Sequence, residues 1–348
     1  MSSRITVVIN CHAHERYVAE AIQSACDQKT DYEFEVLIAC TRSRPELEGK
    51  IQHIASGGCA SVRPITVPDA SIGEMLAAAA QESKNDIIAI LDDDDTWELS
   101  KIEAVGRAFE NPQVSYFHNS QTFVDQSNAP LSPLNLHRLI RHPSSLRPEG
   151  RTYIVDTADP VSVGRVRPLE PDFNNSSISI RRELLANRLD ALKKVRRGED
   201  TFLYYCALAS RGKLFLTTDR LTRYRIHSGA VTAPRTFVQS APADPQSYVS
   251  FTSDQYDRLE QVRDESFPLD VADLEGTFAI DQAFWATLRS ASSIPSDRAG
   301  TRRRIRSLLG NRFVRPRPRE LLVAGLALAA WTSPRLARGA VVAWRRLW

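Results

Sequence analysis

The feature that most restricts the fold is an apolar run that ends in a cluster of acids. Ile87 to Leu91 are continuously apolar, which is typical of a strand buried on both faces. Four aspartates, Asp92 to Asp95, follow directly and are called the acidic tetrad below. Open α/β sheets keep their ligand sites at the carboxyl ends of strands, and adjacent carboxylates repel one another unless cations or hydrogen-bond donors compensate them. The stretch therefore predicts a divalent-metal site, and a solvated acidic turn is the alternative.

Apolar strands and amphipathic helices alternate before the tetrad. The sequence predicts strands at 4–10, 34–39 and 62–67, and helices at 16–28, 46–55 and 72–83. This order, with the strand at 87–91 as its fourth strand, predicts an α/β protein with a doubly wound, mainly parallel open sheet flanked by helices.

The pattern is less regular after the tetrad. The sequence predicts helices at 97–110, 181–192, 201–210, 248–263 and 274–288, strands at 114–124 and 176–180, and a strand pair at 214–217 and 221–226. Residues 125–172 are rich in proline, serine and arginine, which predicts a binding loop or a lid rather than core.

Charge and cysteine usage suggest where such a chain works. The net charge of +3 hides an asymmetry, because residues 298–348 hold 13 arginines and one acid, Glu320. An apolar run at 321–331 is too short to span a bilayer, which takes roughly 20 residues, and a helix with a basic face and a tryptophan-bearing face follows it. This tail predicts peripheral attachment to the inner face of a membrane; packing against protein is the alternative. Five scattered cysteines without a CxxC pair predict a reducing, cytoplasmic setting and no disulfide framework.

Three sequence blocks together resemble one enzyme family. They are RITVVIN with RYVAEAIQSACDQ, then IIAILDDDDTWELSKIE, and finally RRGEDTFLYYCALASRGKLFLTTDRLTRYRIHSGAVT. In this order they resemble the family 2 glycosyltransferases, which implies a GT-A (Rossmann-like) fold with a C-terminal helical extension. The resemblance covers Arg4 to Thr232. We accordingly divide the chain into a catalytic domain at 1–232, a helical extension at 233–296 and a basic tail at 297–348.

The resemblance implies roles for the polar residues of these blocks. It places Asp92 and Asp94 in a DxD motif that, with His227, holds Mn²⁺ or Mg²⁺ against the diphosphate of a nucleotide-sugar. It makes Asp200 the catalytic base for an acceptor hydroxyl, with Glu199 orienting that acceptor. The remaining residues assigned to nucleotide-sugar binding are Asn10, His12, Thr41, Arg42, Asp69, Asp93, Asp95 and Arg225.

Two departures bear on the donor nucleotide. The family's first strand usually ends in a Pro-Thr-Tyr-Asn-like turn, whereas this chain has Asn10-Cys11-His12-Ala13-His14. Its second strand usually ends in an acid that contacts the base, whereas here Cys40-Thr41-Arg42 follow Ala39. A UDP-sugar is the donor that the resemblance favours, but base recognition must be atypical.

The function implied is transfer of a sugar, with inversion, to a sugar, lipid-linked or protein acceptor in surface polysaccharide or glycoconjugate synthesis. The arginines of the tail lack interleaved aromatics, so nucleic acid is not a predicted partner. Two alternatives remain. A degenerate transferase could serve as a binding or scaffold protein. A phosphatase of the haloacid-dehalogenase type would share the strand-DxDxT pattern, but Gly198-Glu199-Asp200 lacks the second acid that such enzymes need.

Overall fold

The computed structural model describes residues 4–11, 16–42, 45–56, 61–132, 148–166, 169–196 and 198–227. The chain divides into two units, Met1–Ala233 and Pro234–Trp348, and every described residue lies in the first. The predicted helical extension and basic tail, with the helices predicted at 248–263 and 274–288, lie outside the described residues. Among the helices that are described, none is long and apolar enough to cross a membrane.

Strands and helices alternate through the first half of the described chain. The strands are β1 (Ile5–Cys11), β2 (Phe34–Cys40), β3 (Val62–Thr66), β4 (Ile87–Asp92), β5 (Thr96–Trp97), β6 (Val114–Val124), β7 (Thr152–Asp156), β8 (Ile178–Arg181) and β9 (Lys213–Arg225). The helices are α1 (Val18–Cys26), α2 (Pro45–Ser56), α3 (Ile72–Glu82), α4 (Lys101–Phe109), α5 (Pro160–Val166), α6 (Arg182–Ala186), α7 (Leu189–Leu192) and α8 (Glu199–Ala209). A 3₁₀ turn, Asn175–Ser177, precedes β8.

These strands form one sheet in the order β3-β2-β1-β4-β8-β6-β9-β5, with β7 paired to β9. The half formed by β3, β2, β1 and β4 is entirely parallel, as predicted. Beyond β4 the sheet is mixed, because β8 runs antiparallel to both β4 and β6 while β6 and β9 are parallel. The expected α/β architecture with an open sheet is therefore observed.

The sheet centre is buried because its strands carry apolar residues on both faces. Ile5, Val7 and Ile9 of β1 and Ile87 to Leu91 of β4 are all fully buried. Helix α1 packs on one face through Val18, Ala21, Ile22 and Ala25, which recur at helical spacing and are buried. This arrangement fixes the carboxyl ends of β1 and β4 side by side.

Three predictions differ from the structure. Trp97 lies in β5 and pairs with Thr222 of β9, so the helix after the tetrad begins only at Lys101. The predicted strand pair is one strand, β9; its register against β6 shifts near Arg220, so the polar residues there form an irregularity rather than a turn. The irregular segment 125–172 contains β7 and α5.

The cysteines depart from the prediction in one respect. Cys11, Cys40 and Cys206 are buried thiols that are not disulfide-bonded. Cys26 is disulfide-bonded, so the prediction of a fully reduced set is wrong. The scattered spacing gave no sign of this bond, because spacing along the chain does not report spatial proximity. The cysteines therefore do not decide the compartment.

Two helical glycines offer a matched test of packing. A Cβ added at Gly73 in α3 would lie 2.2 Å from the carbonyl oxygen of Leu192 and 2.4 Å from that of Val195, whereas one at Gly49 in α2 would meet nothing within 4 Å. Gly73→Ala is expected to lower the free energy of unfolding by about 1–3 kcal/mol, because backbone must shift to accept it. Gly49→Ala is expected to raise it by about 0.5–1 kcal/mol, because alanine is the better helix former. Urea denaturation of both variants measures the difference, and equal effects would contradict this packing.

Candidate active site

The acidic tetrad begins where β4 ends, beside the end of β1. Asn10 and Asp92 are register partners on these parallel strands. The backbone N–H of Asp92 donates to Ser176 Oγ at 3.0 Å, which ties the strand end to the 3₁₀ turn. The tetrad thus starts at the carboxyl ends of the parallel strands, as the sequence predicted.

Asp95 is an internal anchor of the tetrad. It is 1% exposed and accepts hydrogen bonds from Ser176 Oγ at 2.7 Å, Asn174 Nδ2 at 3.0 Å and the Arg225 backbone N–H at 2.8 Å. Loss of hydration, with the neighbouring charge of Asp94, raises the pKa of Asp95 to about 7 although these donors act in the opposite direction. Asp95 therefore holds the loop together, and its contact with the nucleotide-sugar stays a prediction.

Asp94 meets His227, the residue that follows β9 by two positions. The Nε2 atom of His227 lies 3.0 Å from Oδ2 of Asp94, although the two residues are 133 positions apart. His227 is 7% exposed, and its ring lies 5.0 Å from the ring of Tyr17. The two predicted metal-site residues are thus brought into direct contact by the fold.

Arg225 anchors the loop that carries the tetrad. Its guanidinium is fully buried, stacks 4.4 Å above the Tyr17 ring and donates to Glu20 Oε2 at 2.6 Å, the Asp94 carbonyl at 2.7 Å and the Gln126 carbonyl at 3.0 Å. These bonds connect the guanidinium to α1, to the tetrad and to the turn after β6. Arg225 therefore holds the loop in place, and its binding of the nucleotide-sugar stays a prediction.

Asp92 is connected to the start of α8 through one amide. Nδ2 of Asn175 donates to Asp92 Oδ1 over a long 3.5 Å and also to Glu199 Oε1. Loss of hydration raises the pKa of Asp92 well above its usual range, and the charges of Asp95, Asp94 and Glu199 add to this. A cation or further donors at this edge would relieve that repulsion.

Glu199 and Asp200 open helix α8. The helix follows Gly198, whose φ of 68° lies in the left-handed region that glycine adopts without strain. Glu199 is buried and faces Asn175, whereas Asp200 is half-buried and its Oδ1 accepts from the Thr201 backbone N–H at 2.7 Å. The predicted acidic pair therefore reaches the tetrad through Glu199, with Asp200 one position further along the first turn.

The predicted nucleotide contacts are spread over three loops. Thr41 is half-buried and Arg42 exposed at the end of β2, and Asp69 is exposed with a φ of 51° before α3. Asp93 lies in the turn after β4 and is 4% exposed. His12 lies outside the described residues.

The turn that gathers the tetrad was not predicted from the sequence. Asn174, Asn175 and Ser176 are consecutive, and their side chains contact Asp95, Asp92 and Asp95 respectively. The only signal in the sequence is the polar run Asn-Asn-Ser-Ser immediately before an apolar strand.

Buried hydrogen bonds fix this turn from the other side. The Ser176 carbonyl accepts from Trp97 Nε1 at 2.7 Å and from Thr222 Oγ1 at 2.9 Å. Lys101 Nζ donates to the Ser177 carbonyl at 3.2 Å, and its complete burial lowers the pKa of the lysine well below its usual range. The tetrad therefore rests on a rigid polar core rather than on a loose loop.

A groove of about 990 Å³ lies nearby, between α1 and α2. It is lined by residues of both helices, by Thr96, Trp97 and Leu99, and by Asn128 and Arg223. None of the four tetrad carboxylates lines it, so it is separate from the site described above.

Residues 6–169 match the sequence model described as Glycosyl transferase family 2. This segment contains β1 to β7 and the whole tetrad. Over this segment the chain is similar to glycosyl transferase family 2. The family resemblance read from the three sequence blocks is thereby confirmed.

A curated relative of the chain has low sequence identity. An uncharacterized glycosyltransferase of Nostoc sp. (strain PCC 7120) is 23% identical over 227 residues, which are 64% of this chain and 65% of that protein. The chain therefore spans just under two thirds of the length of this curated relative.

Solved structures show the fold. The crystal structure of S. aureus TarS 1-349 in complex with UDP-GlcNAc has a TM-score of 0.59 at 12% identity, covering 99% of this chain and 92% of that one. A second crystal structure of S. aureus TarS 1-349 has a TM-score of 0.57, with the same identity and the same coverage of both chains. The predicted GT-A fold is confirmed by this likeness.

Proposed function

We propose that the protein transfers a sugar from a nucleotide-sugar to an acceptor hydroxyl, in a metal-dependent reaction that inverts the anomeric carbon. The observation that carries this proposal is the contact of His227 with Asp94 at 3.0 Å, beside Asp92 at the end of β4. In a family 2 domain these are the groups that would meet the donor diphosphate. Their convergence across 133 positions of the chain is what this chemistry requires.

The donor atoms suit Mn²⁺ or Mg²⁺ bound together with a substrate. In the described part of the chain, no three His, Cys, Asp or Glu side chains are arranged to hold a metal by themselves. Mg²⁺-type sites often use only one or two carboxylates and complete the shell with water and substrate phosphates. Asp94 and His227, with Asp92 alongside, would supply such a partial set, and the bound cation would neutralise charge that develops on the leaving diphosphate.

The acidic pair at the start of α8 provides the remaining chemistry. Asp200 is half-buried, and one of its oxygens is held by the Thr201 backbone N–H. We assign it as the base that takes the proton from the acceptor hydroxyl as that oxygen attacks the anomeric carbon. Glu199 is held by Asn175 and would orient the acceptor beside it. A single displacement with one base gives inversion.

The donor we propose is a UDP-sugar. TarS, which shares the fold, is described in complex with UDP-GlcNAc. Thr41, Arg42 and Asp69 stand at the loops that would meet the nucleotide, in place of the usual acid after the second strand. The acceptor we propose is a sugar, lipid-linked or protein hydroxyl in polysaccharide or glycoconjugate synthesis. The basic tail would bring the enzyme to the cytoplasmic face of a membrane.

A screen of nucleotide-sugars tests this function. Purified full-length protein with Mn²⁺ is incubated with UDP-, GDP- and dTDP-linked sugars, and release of the nucleoside diphosphate is measured. We expect slow hydrolysis of one donor class, abolished by EDTA and restored by Mn²⁺. Metal-dependent binding without hydrolysis or transfer would favour the scaffold alternative. Release of phosphate from an aryl phosphate, dependent on Asp92, would favour the phosphatase.

A further inference from the structure

We propose that Asn10 and Asn175 form an amide subsite that binds hydroxyl groups of the transferred sugar. The inference rests on the proposed function, because it names which part of the donor the site reads. It also narrows the expected role of Asn10 from the nucleotide-sugar as a whole to its sugar ring, and it adds Asn175, which the sequence did not single out.

The first observation is the unsatisfied side chain of Asn10. The residue is 2% exposed, and within the described structure neither its Nδ2 nor its Oδ1 has a hydrogen-bond partner. Buried side-chain polar groups are nearly always paired, because burial removes their hydration without replacement. A wholly unpaired amide beside a candidate active site is therefore explained by a ligand that supplies the missing partners.

The second observation is the fixed orientation of Asn175. Its Nδ2 faces two carboxylates, Asp92 and Glu199, so the amide cannot be reversed without setting its oxygen against both. Its Oδ1 is buried and has no partner among the described residues. One acceptor is thus held in place and left for another molecule.

Both amides lie near Asp92. Asn10 and Asp92 are register partners on neighbouring parallel strands, so their side chains leave the sheet on the same face. Asn175 contacts the Asp92 carboxylate directly. A ligand at this carboxylate would therefore lie close to both amides.

The chemistry of these groups selects the ligand. An amide presents both a donor and an acceptor, and a sugar hydroxyl requires both. A phosphate accepts hydrogen bonds only, so an amide oxygen repels it. A divalent cation alone would leave Nδ2 of Asn10 unpaired. A neutral, hydroxyl-bearing ring satisfies the donor and the acceptors together.

The test compares each nucleotide-sugar with its own diphosphate. Calorimetric titrations with Mn²⁺ use UDP, UDP-GlcNAc, UDP-glucose, UDP-galactose, GDP and GDP-mannose. The gain in affinity of the best nucleotide-sugar over its own diphosphate is measured first in the wild type. The same gain is then measured in Asn10→Leu, in Asn175→Ala and in the control Asn187→Ala, whose asparagine is exposed at the end of α6. We expect Asn10→Leu to reduce that gain about tenfold with the diphosphate affinity unchanged, because hydroxyls would lose their partners.

A second readout separates ligand binding from a structural role. Because the Asn10 amide has no partner among the described residues, replacing it by leucine is expected to raise Tm by about 2–4 °C while sugar binding falls. Asn187→Ala should change neither quantity. An unchanged sugar gain in Asn10→Leu, an equal loss for the diphosphate, or a wild type without any sugar gain would overturn the subsite. A wild type that binds none of the nucleotides would overturn the proposed function as well, so the two failures are distinguishable.

Discussion

Asp94→Asn is expected to lower sugar transfer about 1000-fold or more while the fold is retained. The substitution keeps the size of the side chain and an oxygen for the contact with His227, but it removes the charge that would bind a divalent cation. Electrostatic stabilisation of developing charge in a preorganised site supplies several kcal/mol, and each ~1.4 kcal/mol corresponds to a factor of ten in rate. Initial rates at saturating donor, with and without added Mn²⁺, measure the loss.

The matched control for this variant lies at the other end of the same strand. Asp86 is exposed and directly precedes β4, so Asp86→Asn makes the same chemical change without touching the tetrad. Its transfer rate should match that of the wild type. Comparable rates in Asp94→Asn and Asp86→Asn would remove Asp94 from the mechanism.

Asp200→Asn is expected to lower kcat by about 10²–10⁴-fold and to leave donor affinity unchanged. A general base contributes about this much when it takes a proton in the transition state, and an amide cannot take that proton. The asparagine oxygen can still accept the Thr201 N–H bond that holds the side chain in the first turn of α8. Steady-state kinetics with saturating acceptor measure kcat, and calorimetry with the donor and Mn²⁺ measures affinity.

Asp190→Asn serves as the control for the base. Asp190 in α7 has a 98% exposed side chain and a 3.7 Å contact with Lys193, so its charge is solvated. Loss of this solvated charge should change kcat by less than about twofold, because an exposed ion pair contributes little even to stability. A full kcat in Asp200→Asn would assign the proton transfer to another group, with Glu199 the nearest acid in the chain.

Much of the fold follows from local pattern, and its exceptions have local causes. Val18, Ala21, Ile22 and Ala25 show helical spacing in the sequence and form the buried face of α1. Trp97 breaks the pattern because its strand pairing with β9 and the bond from its Nε1 to Ser176 outweigh helix propensity. The irregularity in β9 looked like a turn because its residues are polar; only the partner strand shows that pairing continues.

Part of the candidate site could be predicted from the sequence, because its acids lie in the blocks that resemble the family. Family resemblance linked Asp94 with His227 across 133 positions, which no periodicity could do. The separation within the tetrad depends on tertiary contacts, since Asp95 turns inward to Ser176 and Arg225. Asn175 could not be predicted as a site residue, because only the folded structure brings it into contact with the carboxylates of Asp92 and Glu199.

The central claim is a metal-dependent nucleotide-sugar site built by Asp94 and His227. The most direct measurement is a calorimetric titration of the wild-type protein with the donor identified by hydrolysis, once in Mn²⁺ and once in EDTA. The structure predicts binding in Mn²⁺ that weakens at least about tenfold in EDTA, because the side chains alone form only a partial set of ligands. Equal affinity in the two buffers, or no binding in either, would contradict the account.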